Sequence, residues 1–168
     1  IKKPVITSSS ITDGFSQFVA DPFIIRDEDK YFMFFETLIN DKNGDIGLAS
    51  SMDGKNWKYE KIVLDENFHL SYPYVFKFEG DYYMLPETSA INEIRLYKAV
   101  NFPYEWKFFK TLVSQKRYVD STLLHYNNKW WLFASAGAND VLDLYYSDNL
   151  DGNYKPHPNN PIIENNKS

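Results

Sequence analysis

Hydrophobic positions along this chain recur in blocks of about fifty residues. Three segments align without a gap: "DPFIIRDEDKYFMFFE" from Asp21, "YPYVFKFEGDYYMLPE" from Tyr72 and "DSTLLHYNNKWWLFAS" from Asp120. Each begins with a short run that is apolar at successive positions, as in "FII" and "YVF". Strands packed on both faces read this way, whereas a half-exposed strand alternates. The midpoints, Glu28-Asp29, Glu79-Gly80 and Asn127-Asn128, are two-residue turns in composition. Each segment therefore predicts a hairpin, with inner strands at about 22–26, 73–77 and 121–125. A second pair of strand-like runs follows each hairpin. Its first members are "DIGLASS", "EIRLYKA" and "LDLYYSD", and its second members start at Trp57, Trp106 and Tyr154. Between them lie "MDGKN", "NFPYE" and "NLDGN", of which the Asp-Gly pairs are strong hairpin signals.

Four short strands in about fifty residues make one blade of a β-propeller. No long amphipathic helical pattern interrupts them, so the fold class is all-β, built of four-stranded antiparallel sheets. A β-sandwich is the runner-up, but its strands need not repeat in fours. The blades fall at approximately 20–65, 71–114 and 119–164. "KKPVIT" near the start resembles "NNPIIE" near the end, so Pro4 to Thr7 reads as the outer strand of a preceding blade, with the rest of 1–19 a linker. Three blades do not close a ring, which usually takes four to eight. The single unit 1–168 is therefore expected to be a propeller fragment, completed by the remaining blades of a larger protein or by a second chain. The start at Ile1 fits a processed product or an excised piece.

Composition narrows the function. The net charge of −5 argues against a nucleic-acid surface, which needs clustered Lys and Arg. No apolar run approaches the ~18 residues of a membrane span. There is no Cys, which excludes disulfides and thiolate metal sites. The histidines, His69, His125 and His157, lack a metal-ligand spacing, and no phosphate-binding or serine-hydrolase motif occurs. No cofactor or metal is implied. "DKNGD" at 41–45 reads as a turn rather than a calcium loop. The aromatic fraction of 18% serves any β core, and it also suits a sugar-binding surface, where rings stack on C–H faces.

The hairpins carry the candidate chemistry. With regular pairing, Asp21 lies opposite Glu36, Tyr72 opposite Glu87, and Asp120 opposite Ser135, with Cβ atoms about 4.5–5.5 Å apart. A bulge would shift this register by one residue. Equivalent positions of successive blades share one rim, so these six residues gather at one mouth of the axis, with His69 and Ser71 before Tyr72 and Thr88 after Glu87. Facing carboxylates raise one pKa and cost stability unless used or neutralised. Two readings stand side by side: a ligand site, or acids that satisfy loop N–H groups in a duplicated hairpin. His69 can likewise bind a sugar hydroxyl, shuttle a proton or play a structural part. "SMDGKNW" at Ser51 to Trp57 resembles the Asp-box turn of sialidase-type propellers and is expected to be structural.

The blade pattern resembles the five-bladed superfamily of arabinanases, β-xylosidases, levansucrases and invertases. In family 43 glycoside hydrolases an Asp-Pro opens the first catalytic blade, and "ADPFII" looks like it. That resemblance implies Asp21 as general base and, through "VDSTLL", Asp120 as the residue that tunes the acid and positions the sugar. "SYPYVF" carries Tyr72 where that family has Ala, and Ser121 stands where it has Pro. Its general acid comes from a fourth blade, so Glu87 or a residue absent from the chain would fill that role.

A second resemblance covers nearly the whole chain. "HLSYPYVFKFEGDYYMLPETSA", "RLYKAVNFPYEWKFFKTLV", "VDSTLLHYNNKWWLFAS" and "PHPNNPI" look like the N-terminal propeller region of glucosamine inositolphosphorylceramide transferases. Related bacterial proteins join it to formyltransferase-like or glycosyltransferase-like modules. The resemblance implies a carbohydrate ligand; the shared rim supplies Glu36, His69, Ser71, Tyr72, Thr88 and Ser135 as candidate binding residues around Asp21, Asp120 and Glu87. Three functions remain open: a glycan-binding module without efficient turnover, a glycoside hydrolase or transglycosidase, and a structural propeller for protein contacts.

Overall fold

The computed structural model describes residues 3–40 and 43–164. Three antiparallel sheets follow one another along the chain. Sheet 1 has the order β1 (Ser16–Asp27), β2 (Lys30–Ile39), β3 (Gly44–Ser51) and β4 (Lys58–Leu64). Sheet 2 runs β5 (Ser71–Phe78), β6 (Asp81–Glu87), β7 (Glu93–Asn101) and β8 (Glu105–Ser114). Sheet 3 contains β9 (Val119–Tyr126), β10 (Lys129–Ala136) and β11 (Val141–Ser147). Its fourth position is split between β12 (Lys155–Pro156) and β13 (Ile163–Glu164), both paired with β11. The split has a local cause: His157 to Ile162 carries two prolines, which cannot donate to a ladder. No described helix is long and apolar enough to cross a membrane.

The double-sided apolar patterning of the strands is what stacks the sheets. Phe32 and Phe34 of β2 face sheet 2, where they meet Met84, Tyr97 and Trp106. Met33 and Phe35, on the opposite face, pack with Ile6, Ile11 and Ile39. Likewise Tyr83 and Leu85 of β6 meet Leu123, Trp130 and Leu132 of sheet 3. Alternate residues of one strand thus serve two different interfaces, which is why the central strands read as unbroken apolar runs.

All three hairpins turn at the expected dipeptides, and the third and fourth strands start where the repeat places them. The Asp-box turn is structural. Asp53 accepts the N–H groups of Lys55 and Asn56 at 2.8 Å each and the Asn56 amide at 2.7 Å. Those bonds hold its carboxyl well below the usual range. Asp41 and Lys42, which begin the "DKNGD" turn, lie outside the described residues.

Two expectations need correction. Pro4 to Thr7 is not a strand; it leads into a 3-10 turn at Ser8–Ser10 and buries Ile6 against sheet 1. A lone strand has no ladder to join, and the apolar face of sheet 1 takes the segment as a side-chain cover instead. The hairpin register also differs from regular pairing, and that difference shapes the site.

Candidate functional site

Each inner strand opens with the same β-bulge. In sheet 1, Ala20 pairs with Glu36 and Phe23 with Phe34, so Asp21 and Pro22 together oppose Phe35. In sheet 2, Ser71 pairs with Glu87 and Tyr74 with Leu85. In sheet 3, Val119 pairs with Ser135 and Thr122 with Phe133. Asp21, Tyr72 and Asp120 are therefore the extra residues, each one position off the partner that regular pairing assigns. Their φ values are +50°, +44° and +50°. A side chain held in the left-handed region costs about 1–3 kcal/mol, and here the cost recurs at one position of every sheet. The bulge takes these three side chains out of the regular alternation of their strands.

Glu36 follows the face of β2 that carries Phe32 and Phe34, so it points toward sheet 2. It is 6% exposed. There His69, from the β4–β5 connection, reaches it at 3.1 Å from Nε2 to Oε1. The ring's other nitrogen, Nδ1, accepts the Gly44 N–H at 3.0 Å. That acceptor role leaves Nδ1 unprotonated and puts the ring proton on Nε2, which donates to Glu36. Gly44 is needed for this approach: a Cβ there would lie 2.6 Å from the Leu70 carbonyl oxygen and 2.7 Å from the His69 ring.

Glu36 and Asp120 each lie within electrostatic reach of both Asp21 and Glu87. Burial, then the charges of Asp21 and Glu87, push Glu36 up to about 7. Facing carboxylates thus raise a pKa, but desolvation is the larger cause and repulsion the smaller. Asp120 is raised too, by burial first and then by Glu87 and Asp21. It shares a hydrogen bond with Glu87 and accepts one from the Asn139 amide at 3.4 Å. Glu87 accepts from the Ser89 hydroxyl at 2.6 Å. Arg95 stays away, bound to Glu93 at 2.5 Å. Among the described residues no ion pair brings a Lys or Arg to any of the four carboxyls, and no three His, Asp or Glu side chains are placed to ligate a metal.

The remaining candidates divide. Tyr72 joins three sheets: its ring meets Phe23 edge-on at 4.8 Å, and its hydroxyl lies 3.5 Å from Thr122 Oγ1. Ser71 is buried beside Glu87 in register. Ser135 is half-buried opposite Val119. Thr88 faces inward: its hydroxyl donates to the Glu93 carbonyl at 2.6 Å and accepts the Arg95 N–H at 3.3 Å, which fixes the turn after β6. Asn139 and Thr122 were not legible as neighbours of the rim. Asn139 arrives from the β10–β11 loop, and only its place in the turn-like run "GAND" marks it.

A stack of four-stranded antiparallel sheets, with four acids gathered at one end of their first hairpins, defines a β-propeller. The family model described as "Glucosamine inositolphosphorylceramide transferase 1, N-terminal" matches residues 1–168, and the chain belongs to that family. It is 43% identical over 178 residues to glucosamine inositolphosphorylceramide transferase 1 of Oryza sativa subsp. japonica, covering 100% of this chain and 24% of that protein. The Arabidopsis thaliana protein of that name is 42% identical over 178 residues, with 23% of its length covered. The chain thus spans about a quarter of the length of these curated relatives. Among solved structures it is similar to a family 117 glycoside hydrolase of Zobellia galactanivorans, with TM-score 0.72, 15% identity, and 91% of this chain and 58% of that one covered. A thermostable family-43 glycoside hydrolase gives TM-score 0.72 at 17% identity, covering 86% of this chain and 55% of that one. These likenesses establish the fold.

Proposed function

We propose that the chain is the glycan-recognising part of a longer protein and binds a sugar at the four-carboxyl mouth without efficient turnover. The observation that carries this reading is the cluster of Asp21, Glu36, Glu87 and Asp120, with which no Lys or Arg forms an ion pair among the described residues. Such a cluster accepts hydrogen bonds from sugar hydroxyls and attracts an amine, while it repels phosphate and uronate groups. An amino sugar such as glucosamine, which the relatives' name carries, fits that electrostatic pattern. The coverage of 55–58% of two propeller hydrolases supports three blades of a five-bladed ring. The remaining blades would then come from the same polypeptide.

Two features favour binding over hydrolysis. A proton donor must reach the leaving oxygen. Glu36, raised to about 7, has a proton to give, but it is buried and bonded to His69. Glu87 is engaged by Ser89 and Asp120. Release of nitrophenol from arabinoside, xyloside, galactoside and glucosaminide substrates should therefore stay at background. Turnover by the intact chain, abolished by Glu36→Gln, Glu87→Gln or Asp21→Asn, would establish a glycosidase instead.

A further inference from the structure

We propose that a groove between sheets 2 and 3, at the end of the molecule opposite the carboxyl mouth, is a second saccharide site that takes a neutral pyranose ring. The groove is about 370 Å³, within the roughly 300–1,000 Å³ of small-molecule sites. It lies between the β5–β6 and β9–β10 turns, at Glu79 and Asn128, and the loop after β11. Its position and residues are independent of the mouth.

The floor is aromatic and rigid. His125 stacks on Trp130 at 4.8 Å, and Phe78 meets Trp130 edge-on at 4.8 Å. Tyr83 supports Phe109 at 5.8 Å, and Phe109 is 39% exposed. Trp130 and Tyr83 lie buried beneath, so the surface offered for stacking is that of His125 and Phe109, whose positions the rings below them fix.

The rim decides the ligand. Asn128 and Asn149 each offer an amide that donates and accepts, while Glu79 and Asp151 only accept. Sugar hydroxyls both donate and accept, so they use such a mixture fully. A phosphate finds donors but also two carboxylates, which repel it. An ammonium finds acceptors, but the Lys98 ammonium already lies 5.6 Å from the Tyr83 ring centre and 5.9 Å from that of Phe109. The third acid, Asp148, is neutralised by Lys129 at 2.6 Å. A ring with one apolar face and uncharged hydroxyls satisfies both floor and rim.

The test is a titration of the intact chain by two-dimensional NMR with the methyl glycosides of glucose, mannose and galactose, and with glucosamine and glucose 1-phosphate as charged comparisons. A neutral glycoside should saturably shift the side-chain amides of Asn128 and Asn149 and the Trp130 indole N–H. Phe109→Ala should weaken that binding about tenfold, the equivalent of one stacking contact, and Asp151→Ala should weaken it as well. Asp21→Asn, at the mouth, should leave it unchanged, so loss of one site is distinguishable from loss of the other. No saturable shift at these three residues, a stronger response to either charged ligand, or unchanged binding in both groove variants would overturn the proposal.

Discussion

Glu36→Gln should stabilise the unliganded chain at pH 8 by on the order of 3 kcal/mol and flatten its stability between pH 5 and pH 7. The native carboxyl titrates near 7 against an ordinary 4.5. Below 4.5 it is protonated in both the folded and unfolded states and carries no penalty. As pH rises toward 7, the unfolded chain has already released its proton while the folded chain still holds one. Stability therefore falls across that window and levels off above it. Gln keeps the volume and can still accept the His69 Nε2–H, so the variant removes the charge penalty and little else. Urea denaturation at pH 4, 6 and 8 measures it. An equal offset between variant and parent at all three values would mean that Glu36 is not the titrating group.

The largest loss is expected from Phe34→Ala. Phe34 is 0% exposed between sheets 1 and 2, edge-on to Trp106 at 5.5 Å. Deleting a buried ring of this kind costs about 3–5 kcal/mol. Ile24, on the other face of the same hairpin, is 55% exposed, and its substitution by Ala should change stability by at most about 0.5 kcal/mol. The cores between sheets 1 and 2 and between sheets 2 and 3 are separate clusters. Phe34→Ala should therefore reduce amide protection in β1–β4 more than in β9–β11, as in stacked repeats that hold one another through nearest neighbours. Equal loss of protection in sheets 1 and 3 would show a single cooperative core instead.

The contrast between these two predictions reflects what a sequence makes visible. Burial on both faces leaves a direct mark in β2 and β6, whose apolar runs are buried at successive positions; "FII" located β1 although Ile24 is 55% exposed and that strand alternates, and the turn dipeptides bounded the hairpins. The bulge leaves almost none. Pro22 and Pro73 hint at an interrupted ladder, but Asp120 is followed by Ser121 and adopts the same left-handed conformation. Proline is therefore not its cause, and regular pairing misplaces Asp21, Tyr72 and Asp120 by one residue. The rim acids were legible because repetition puts equivalent positions at one end. The His69–Glu36 contact was not, since it depends on how the β4–β5 connection crosses Gly44, a tertiary approach with no periodic signature. Thr88, adjacent in sequence to Glu87, turns inward to cap backbone groups, as Ser and Thr beside turns commonly do.

Sugar binding at the carboxyl mouth is tested most directly by calorimetric titration of the chain with glucosamine, with its neutral N-acetyl form and with glucuronate, in low salt. Binding in the order glucosamine, then N-acetylglucosamine, with none for glucuronate, and loss of the glucosamine heat in Asp21→Asn and Asp120→Asn, is the expected result. Binding of glucuronate as strong as that of glucosamine, or glucosamine heats unchanged in both variants, would contradict it.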